Sequence, residues 1–234
     1  MKNVETDLSV LEERLKHRFA RPELLLTALT HSSYLNEHGL KKEECNERLE
    51  FLGDAVLEML SSEVLYSLFP EDREGSLSKK RATLVCEEGL AVSARELGLG
   101  DFLRLGVGAY REKAYENDSV LSDAFEAVLA AVYLDGGLEE AGKLVREHVV
   151  NDIERKLIYN DAKTVLQELL VRKNLKAEYV LVSESGPDHD KTFVSLCRVG
   201  GQDCGQGTGH TKKASEQEAA RETIRILKEE NTCI

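Results

Sequence analysis

No apolar run among the 234 residues approaches the ~18 needed to cross a bilayer. The opening residues, Met1-Lys2-Asn3-Val4-Glu5-Thr6-Asp7, hold no apolar stretch of the kind a signal peptide needs. The expectation is a soluble cytoplasmic protein with no membrane partner. The five cysteines (Cys45, Cys86, Cys197, Cys204, Cys233) are odd in number, and no two have C-x-x-C spacing. No histidine pair completes a zinc set either, so they read as reduced thiols. Only Cys197 and Cys204 are close, and a β-hairpin explains them as well as a metal does. A basic surplus is missing too: the chain carries 31 Lys+Arg against 43 Asp+Glu, a formal −12. Taken whole, that argues against a nucleic-acid partner. The deficit is regional, however, since residues 1–160 hold 20 against 31 (−11) and residues 161–234 hold 11 against 12 (−1). Total charge therefore decides nothing. There is no internal repeat and no low-complexity tract.

With 41% hydrophobic and 32% charged residues the chain can build a core. The first 150 residues read as helices. Apolar positions recur at three- and four-residue spacing in Leu8 to Leu15, Leu24 to Leu29, Leu49 to Leu65, Ala82 to Leu97 and Leu121 to Tyr133. Breakers separate them: Pro22, Gly39, Pro70, Gly75, Gly98-Leu99-Gly100 and Gly136-Gly137. Leu105 to Asp118 reads as an irregular connection, and the polar stretch 151–160 as a linker. After 161 the pattern becomes helix (Lys163 to Val171), three strands (Glu178 to Ser183, Thr192 to Val199, Gln202 to Thr208) and a last helix, Lys212 to Lys228. Turns at Gly186-Pro187-Asp188-His189 and Gly200-Gly201 join the strands.

The most informative segment is Asn46-Glu47-Arg48-Leu49-Glu50-Phe51-Leu52-Gly53-Asp54. At ~100° per residue, with Glu47 at zero, Glu50 falls near ~300° and Asp54 near ~340°. Leu49, Leu52 and Val56 fall on the other side, and Glu58 extends the acid stripe by a turn. The same construction recurs in Ser122-Asp123-Ala124-Phe125-Glu126-Ala127-Val128-Leu129, where Asp123 and Glu126 share one face. Either stripe alone is readily a solvated helix face. Facing each other, the acids would repel by about 4 kcal/mol per pair ~4 Å apart at an effective dielectric of 20, so they would need a cation. With oxygen donors only, Mg²⁺ or Mn²⁺ suits them. Phe51 projects at about 40° on the same wheel, beside the acids and away from the Leu face. It is either an exposed aromatic or one that a partner subunit covers.

These residues carry a resemblance. The segment 46–54 is similar to the signature of the ribonuclease III family, and further family marks follow in order: Leu29-Thr30-His31-Ser32-Ser33-Tyr34, Glu74-Gly75-Ser76-Leu77-Ser78-Lys79-Lys80-Arg81-Ala82, and Asp123 to Glu126. The region after 161 resembles a double-stranded-RNA-binding domain. The resemblance implies an α+β multidomain protein: an all-α endonuclease domain (1–150), a linker (151–160) and an α-β-β-β-α double-stranded-RNA-binding domain (161–230). It implies a homodimer with Phe51 inserted into the other subunit. It also implies Mg²⁺, with Mn²⁺ as a substitute, held by Glu50, Asp54, Asp123 and Glu126 around the scissile phosphate. Asp54 and Glu126 carry the catalytic role, and Glu126 is the acid most directly tied to the metal. Glu47 and Glu74 are secondary acids of the same valley. No Ser-His-Asp or Cys-His arrangement is visible, and His31 fits a structural hydrogen bond better than a catalytic one. The expected reaction is therefore attack of metal-activated water on the phosphodiester, leaving 5′-phosphate and 3′-hydroxyl ends. Lys79-Lys80-Arg81 is expected to offer positive charge to phosphate near the acids.

Duplex RNA hides its bases in a deep, narrow major groove, so a binder must read 2′-hydroxyls, minor-groove edges and phosphates. Thr164, Gln167 and Glu168 on the helix and His189 in the first strand turn are the expected minor-groove probes. Lys212 and Lys213 at the start of the last helix are the expected phosphate contacts. The family pattern is met at Lys191, Phe193 and Ala219-Ala220 and departs at Thr211 and Ala214-Ser215. The leading reading is a duplex-cutting endoribonuclease that processes ribosomal RNA precursors and other structured transcripts. A non-catalytic duplex binder has no need of four acids on two helices. A phosphohydrolase of small nucleotides would leave the second domain idle.

Overall fold

The computed structural model describes residues 7–151, 153–171, 174–187 and 190–229. The chain divides into two compact units, 1–153 and 154–234. Unit 1 is helical: α1 (Leu8–Leu15), α2 (Pro22–Ala28), α3 (Ser32–His38), α4 (Glu47–Leu68), α5 (Glu74–Leu84), α6 (Glu87–Leu97), α7 (Val107–Arg111) and α8 (Asp118–Leu144). Short 3₁₀ turns at Lys42–Glu44, Leu99–Asp101 and Ala114–Glu116 link them, and a π turn, Val145–Val149, follows α8.

The core is built around α8. Every residue from Leu121 to Val132 is buried except Asp123 and Glu126, which are half-buried. A helix that is apolar all round belongs inside a domain, and α4 and α6 pack on it. The two acids are thus embedded in the core helix and are not part of a solvated stripe.

In unit 1, three details depart from the sequence expectation. The apolar run Ala82 to Leu97 is two helices, because the chain breaks at Val85 and Cys86 takes an extended conformation (φ −70°, ψ 159°) to start α6. Gly75 sits inside the first turn of α5 and breaks nothing. The segment Leu105 to Asp118 contains α7 and a 3₁₀ turn. The Gly-Gly pair does interrupt α8: Gly137 is non-helical (φ 80°, ψ −174°), and the helix resumes to Leu144.

Unit 2 contains α9 (Ile153–Val171), interrupted at Asp161 (φ −142°, ψ 64°), then β1 (Ala177–Ser185), β2 (Thr192–Val199), β3 (Gln202–Gly209) and α10 (Lys212–Glu229). Residues 153–160, expected as a linker, are helical. The sheet is antiparallel in the order β1-β2-β3. Gly200 and Gly201, both at positive φ, make the two-residue β2–β3 hairpin. The glycines of β3 let α10 lie directly on the sheet, since a Cβ at Gly207 would stand 2.1 Å from Ala219 N. Leu166, Leu170, Cys197, Ala219, Ala220 and Ile224 form the core of this unit.

Candidate functional site

The start of α4 is fixed before its acids begin. Asn46, buried, donates its backbone N–H to the Thr30 carbonyl (2.9 Å) and accepts from Glu50 N–H (2.8 Å). Thr30 is itself fully buried; its hydroxyl donates to the Leu26 carbonyl (2.7 Å), and Arg104 donates to that hydroxyl (3.1 Å). The Arg104 backbone brackets the same strand of chain, donating to the Leu29 carbonyl (2.8 Å) and accepting from His31 N–H (3.1 Å). The motif Leu29 to Tyr34 is therefore an anchor for the acid-bearing helix. His31 Nδ1 accepts from Ser33 N–H (3.2 Å) and caps α3, the structural bond its sequence context suggests.

What brings the two acid pairs together is Gly53. A Cβ at this position would lie 2.0 Å from the Glu126 carbonyl oxygen, so α4 and α8 cross backbone to backbone there. At the crossing α4 presents Asp54 and α8 presents Glu126, and one turn earlier on each helix stand Glu50 and Asp123. Burial raises Glu126, and the charges of Asp54, Glu50 and Asp123 raise it further, to about 8. Glu50 is raised by burial and by Asp123, Glu47 and Asp54. Asp123 is raised by burial and by Glu87, against an opposing pull from His31. Each shift disfavours the charged form, with burial as the first cause and neighbouring carboxylates adding to it.

Not every acid singled out in the sequence joins this group. Glu47, exposed, adds to the field on Glu50. Glu74 is exposed at the start of α5, accepts from the Ser78 hydroxyl (3.0 Å), and is not among the charges that raise Glu50, Asp123 or Glu126. Glu58 pairs with Arg81 (3.2 Å) and leaves the stripe neutralised there. The basic run is divided: Lys80 is tied to Asp72 (2.9 Å) and lies over the Phe69 ring, Arg81 is tied to Glu58 and Ser62, and Lys79 is exposed. Sequence reasoning missed Glu87 and the proximity of His31 to Asp123. Neither has a spacing relation to the acids, and only the tertiary structure brings them near.

The donor set suits a hard divalent cation. It is all carboxylate, half-buried in part, and without a Lys or Arg among the groups acting on Glu50, Asp123 or Glu126. Among the described residues no three His, Cys, Asp or Glu side chains are drawn into a ready-made ligand set. Glu50, Asp54 and Asp123 are close enough for their charges to bear on Glu126. Phe51, one residue from Glu50, is 82% exposed. It heads an exposed apolar stripe down α4 with Ala55, Met59 and Tyr66.

In unit 2, Thr164 and Gln167 of α9 and Lys213 of α10 line one groove of about 690 Å³. Asp161 starts the second half of α9 by accepting from Thr164 N–H (3.3 Å) and from the Gln217 amide (3.1 Å), which docks α10 beside it. Lys163 pairs with Glu216 and stands 4.5 Å from the Tyr179 ring centroid. Glu168 and Lys212 are exposed and do not line the groove. His189 lies outside the described residues.

Residues 21–153 match the family model described as Ribonuclease-III-like, and residues 162–227 match the double-stranded RNA binding motif. Ribonuclease 3 of Caldanaerobacter subterraneus subsp. tengcongensis is 47% identical over 224 residues, spanning 94% of this chain and 98% of that protein. Ribonuclease 3 of Streptococcus pneumoniae serotype 19F is 44% identical over 227 residues, spanning 96% and 97%. Among solved structures, the nuclease domain of ribonuclease III from Campylobacter jejuni is similar at a TM-score of 0.58 and 41% identity, over 62% of this chain and 97% of that one. That structure concerns a region involved in dimer formation of the nuclease domain.

Proposed function

The chain belongs to the ribonuclease III family, and from that premise we propose how this double-stranded-RNA-specific, metal-dependent endoribonuclease works and on what. Residues 1–150 are the endonuclease domain, 151–160 the connection, and 161–230 the duplex-binding domain. The physiological ion is Mg²⁺, with Mn²⁺ able to replace it, held by Glu50, Asp54, Asp123 and Glu126. When bound, the ion stabilises charge on the phosphodiester and lowers the pKa of water. The protein's share is electrostatic preparation. Gly53 lets the two helices close up, and burial keeps Glu126 protonated near neutral pH until a cation displaces the proton. Asp54 and Glu126 orient the reacting groups; Glu50 and Asp123 complete the anionic cradle. No nucleophilic side chain is needed, so the nucleophile is water, and the products carry 5′-phosphate and 3′-hydroxyl ends.

One observation carries this reading: two carboxylates, Asp123 and Glu126, half-buried within the otherwise buried stretch Leu121 to Val132 of α8 and facing two more across a glycine contact. Such a cluster costs stability, and a purely structural role does not account for it. A second copy of the chain covers the Phe51 stripe, giving one acid cluster for each strand of the duplex. Thr164, Gln167, Glu168 and His189 read the minor groove, and Lys212 and Lys213 meet phosphate. The substrates are ribosomal RNA precursors and other structured transcripts in the cytoplasm.

The direct test incubates wild type and Glu126→Gln with a labelled duplex, with and without Mg²⁺. Cleavage should be lost in the variant by at least ~10³-fold, the scale of removing a principal electrostatic stabiliser, with duplex binding retained. Cleavage at the wild-type rate in the variant, or without any divalent ion, overturns the assignment.

A further inference from the structure

An acidic protein that binds a polyanion must keep its useful cations free of internal pairing, and unit 2 does so selectively. Lys163 pairs with Glu216, Lys191 with Glu184, Arg198 with Asp203, Arg221 with Glu218 and Arg225 with Glu222 and Glu229. Lys156 and Lys228 are engaged as well. Among the described side chains of this unit, the lysines and arginines left without a partner are Lys176, Lys212 and Lys213. Lys212 and Lys213 are the expected phosphate contacts, whereas Lys176 belongs to no motif.

Local geometry puts Lys176 where it counts. Asn174 adopts a left-handed conformation (φ +58°) as α9 ends, donating its N–H to the Val171 carbonyl (3.1 Å), while Leu175 N–H reaches the Leu170 carbonyl (3.0 Å). This is the reversal that commonly closes a helix, for which Asn is second only to Gly. It turns the chain back so that Leu175 packs against the core and Lys176, exposed, lines the same groove as Thr164, Gln167 and Lys213. At ~30 Å³ per water molecule the groove has room for about twenty, far more than one ion needs. Val171, Leu175 and Ala177 are its apolar lining.

We propose that Lys176 is a further RNA-binding residue, which with Lys213 across the groove holds the phosphates of one strand while Thr164 and Gln167 reach its 2′-hydroxyls. The inference rests on unit 2 binding duplex RNA through the α9 and α10 face. It adds a contact from the α9–β1 connection, and it makes the grip on the backbone two-sided.

The test uses the full chain with divalent ions chelated, so that the duplex is bound and not cut, and measures Kd from 50 to 300 mM salt. Lys176→Ala, Lys176→Arg and Lys213→Ala are compared with Lys143→Ala, a paired lysine of unit 1. Lys176→Ala should weaken binding about 3- to 10-fold and flatten the slope of log K against log salt by about 0.7 to 0.9. Lys176→Arg should restore both, and Lys143→Ala should change neither. With Mg²⁺, KM should rise by the same factor at unchanged kcat. Should Lys213→Ala weaken binding while Lys176→Ala matches wild type in affinity and slope, the inference fails and the RNA-binding face stands. If neither variant weakens binding, both fail.

Discussion

At the scale of single residues, the protein's chemistry is concentrated in a conflict between burial and charge. Glu126 releases its proton near pH 4.3 in an unfolded chain and only near about 8 in the folded one. Between those values the unfolded state binds fewer protons, so this group's contribution to stability is present below pH 4.3 and is lost as pH rises toward 8. Without divalent ion, Tm should therefore fall between pH 5 and pH 8 by more in wild type than in Glu126→Gln, by on the order of 5 °C. Added Mg²⁺ should remove most of the difference. Identical pH profiles for the two proteins in calorimetry would show that Glu126 is not strained in this way. The variant that kills the enzyme should thus be the more stable protein at pH 8, the usual consequence of removing a functional group held in an unfavourable setting. Gly53 is the other residue on which the site turns. Alanine in a helix interior is ordinarily worth about 1 kcal/mol over glycine. Here its Cβ would meet a backbone carbonyl at 2.0 Å, and the neighbour cannot rotate away. Overpacking of this kind costs about 1–3 kcal/mol or more, so the clash wins. Gly53→Ala should lower the urea midpoint and, by parting α4 from α8, cut activity beyond what the stability loss explains.

At the scale of elements, α4 is asked to do three things on three faces. Leu49, Val56, Leu57, Leu60 and Leu65 build the core. Glu50 and Asp54 face α8, and Phe51, Ala55, Met59 and Tyr66 form an exposed apolar stripe, the face proposed to meet a second copy. A large aromatic 82% exposed next to an acid cluster adds little to the core, and the proposed dimer gives it a role. Phe51→Asp should leave the monomer folded, shift sedimentation toward the monomer by at least ~10-fold in the dimer Kd, and reduce paired cutting of the two strands. A dimer unaltered by that substitution would remove Phe51 from the interface. The second unit relies on a similar economy: glycines at alternate positions of β3 bring α10 onto the sheet, and the start of α10 then stands beside Gln167 at the groove.

For the molecule as a whole, the formal −12 coexists with duplex binding because charge is partitioned by function. The surplus acid lies in residues 1–160, where a divalent ion can offset the part gathered at the site. The near-neutral second unit leaves two unpaired lysines, Lys176 and Lys213, on one groove. Recognition by a few phosphate contacts and 2′-hydroxyls is recognition of shape, and it makes affinity fall with salt.

Much of this was legible in the primary structure. Hydrophobic spacing marks most of the long helices, the breaks at Pro22 and Gly136-Gly137, and the helix–three strands–helix order of the second unit, because local periodicity follows from which face must be dry. The acids of Glu47 to Asp54 and Asp123 to Glu126 allow a hard cation by type and spacing, and it is the resemblance of these segments to the ribonuclease III signature that implies a metal-dependent nuclease. Other features depend on contacts between segments far apart in the chain. The sequence treats Ala82 to Leu97 as one helix, since nothing local marks the break at Val85. It treats Glu58 and Lys80-Arg81 as free charges, although distant partners neutralise them. It gives no sign that Glu87 and His31 press on Asp123, or that Lys176 shares a groove with Lys213. Above all, helical spacing assigns Asp123 and Glu126 a face of their helix and says nothing of its surroundings. Only the tertiary structure buries that helix and sets Gly53 against it, and burial is the first cause of the raised pKa of Asp123 and Glu126.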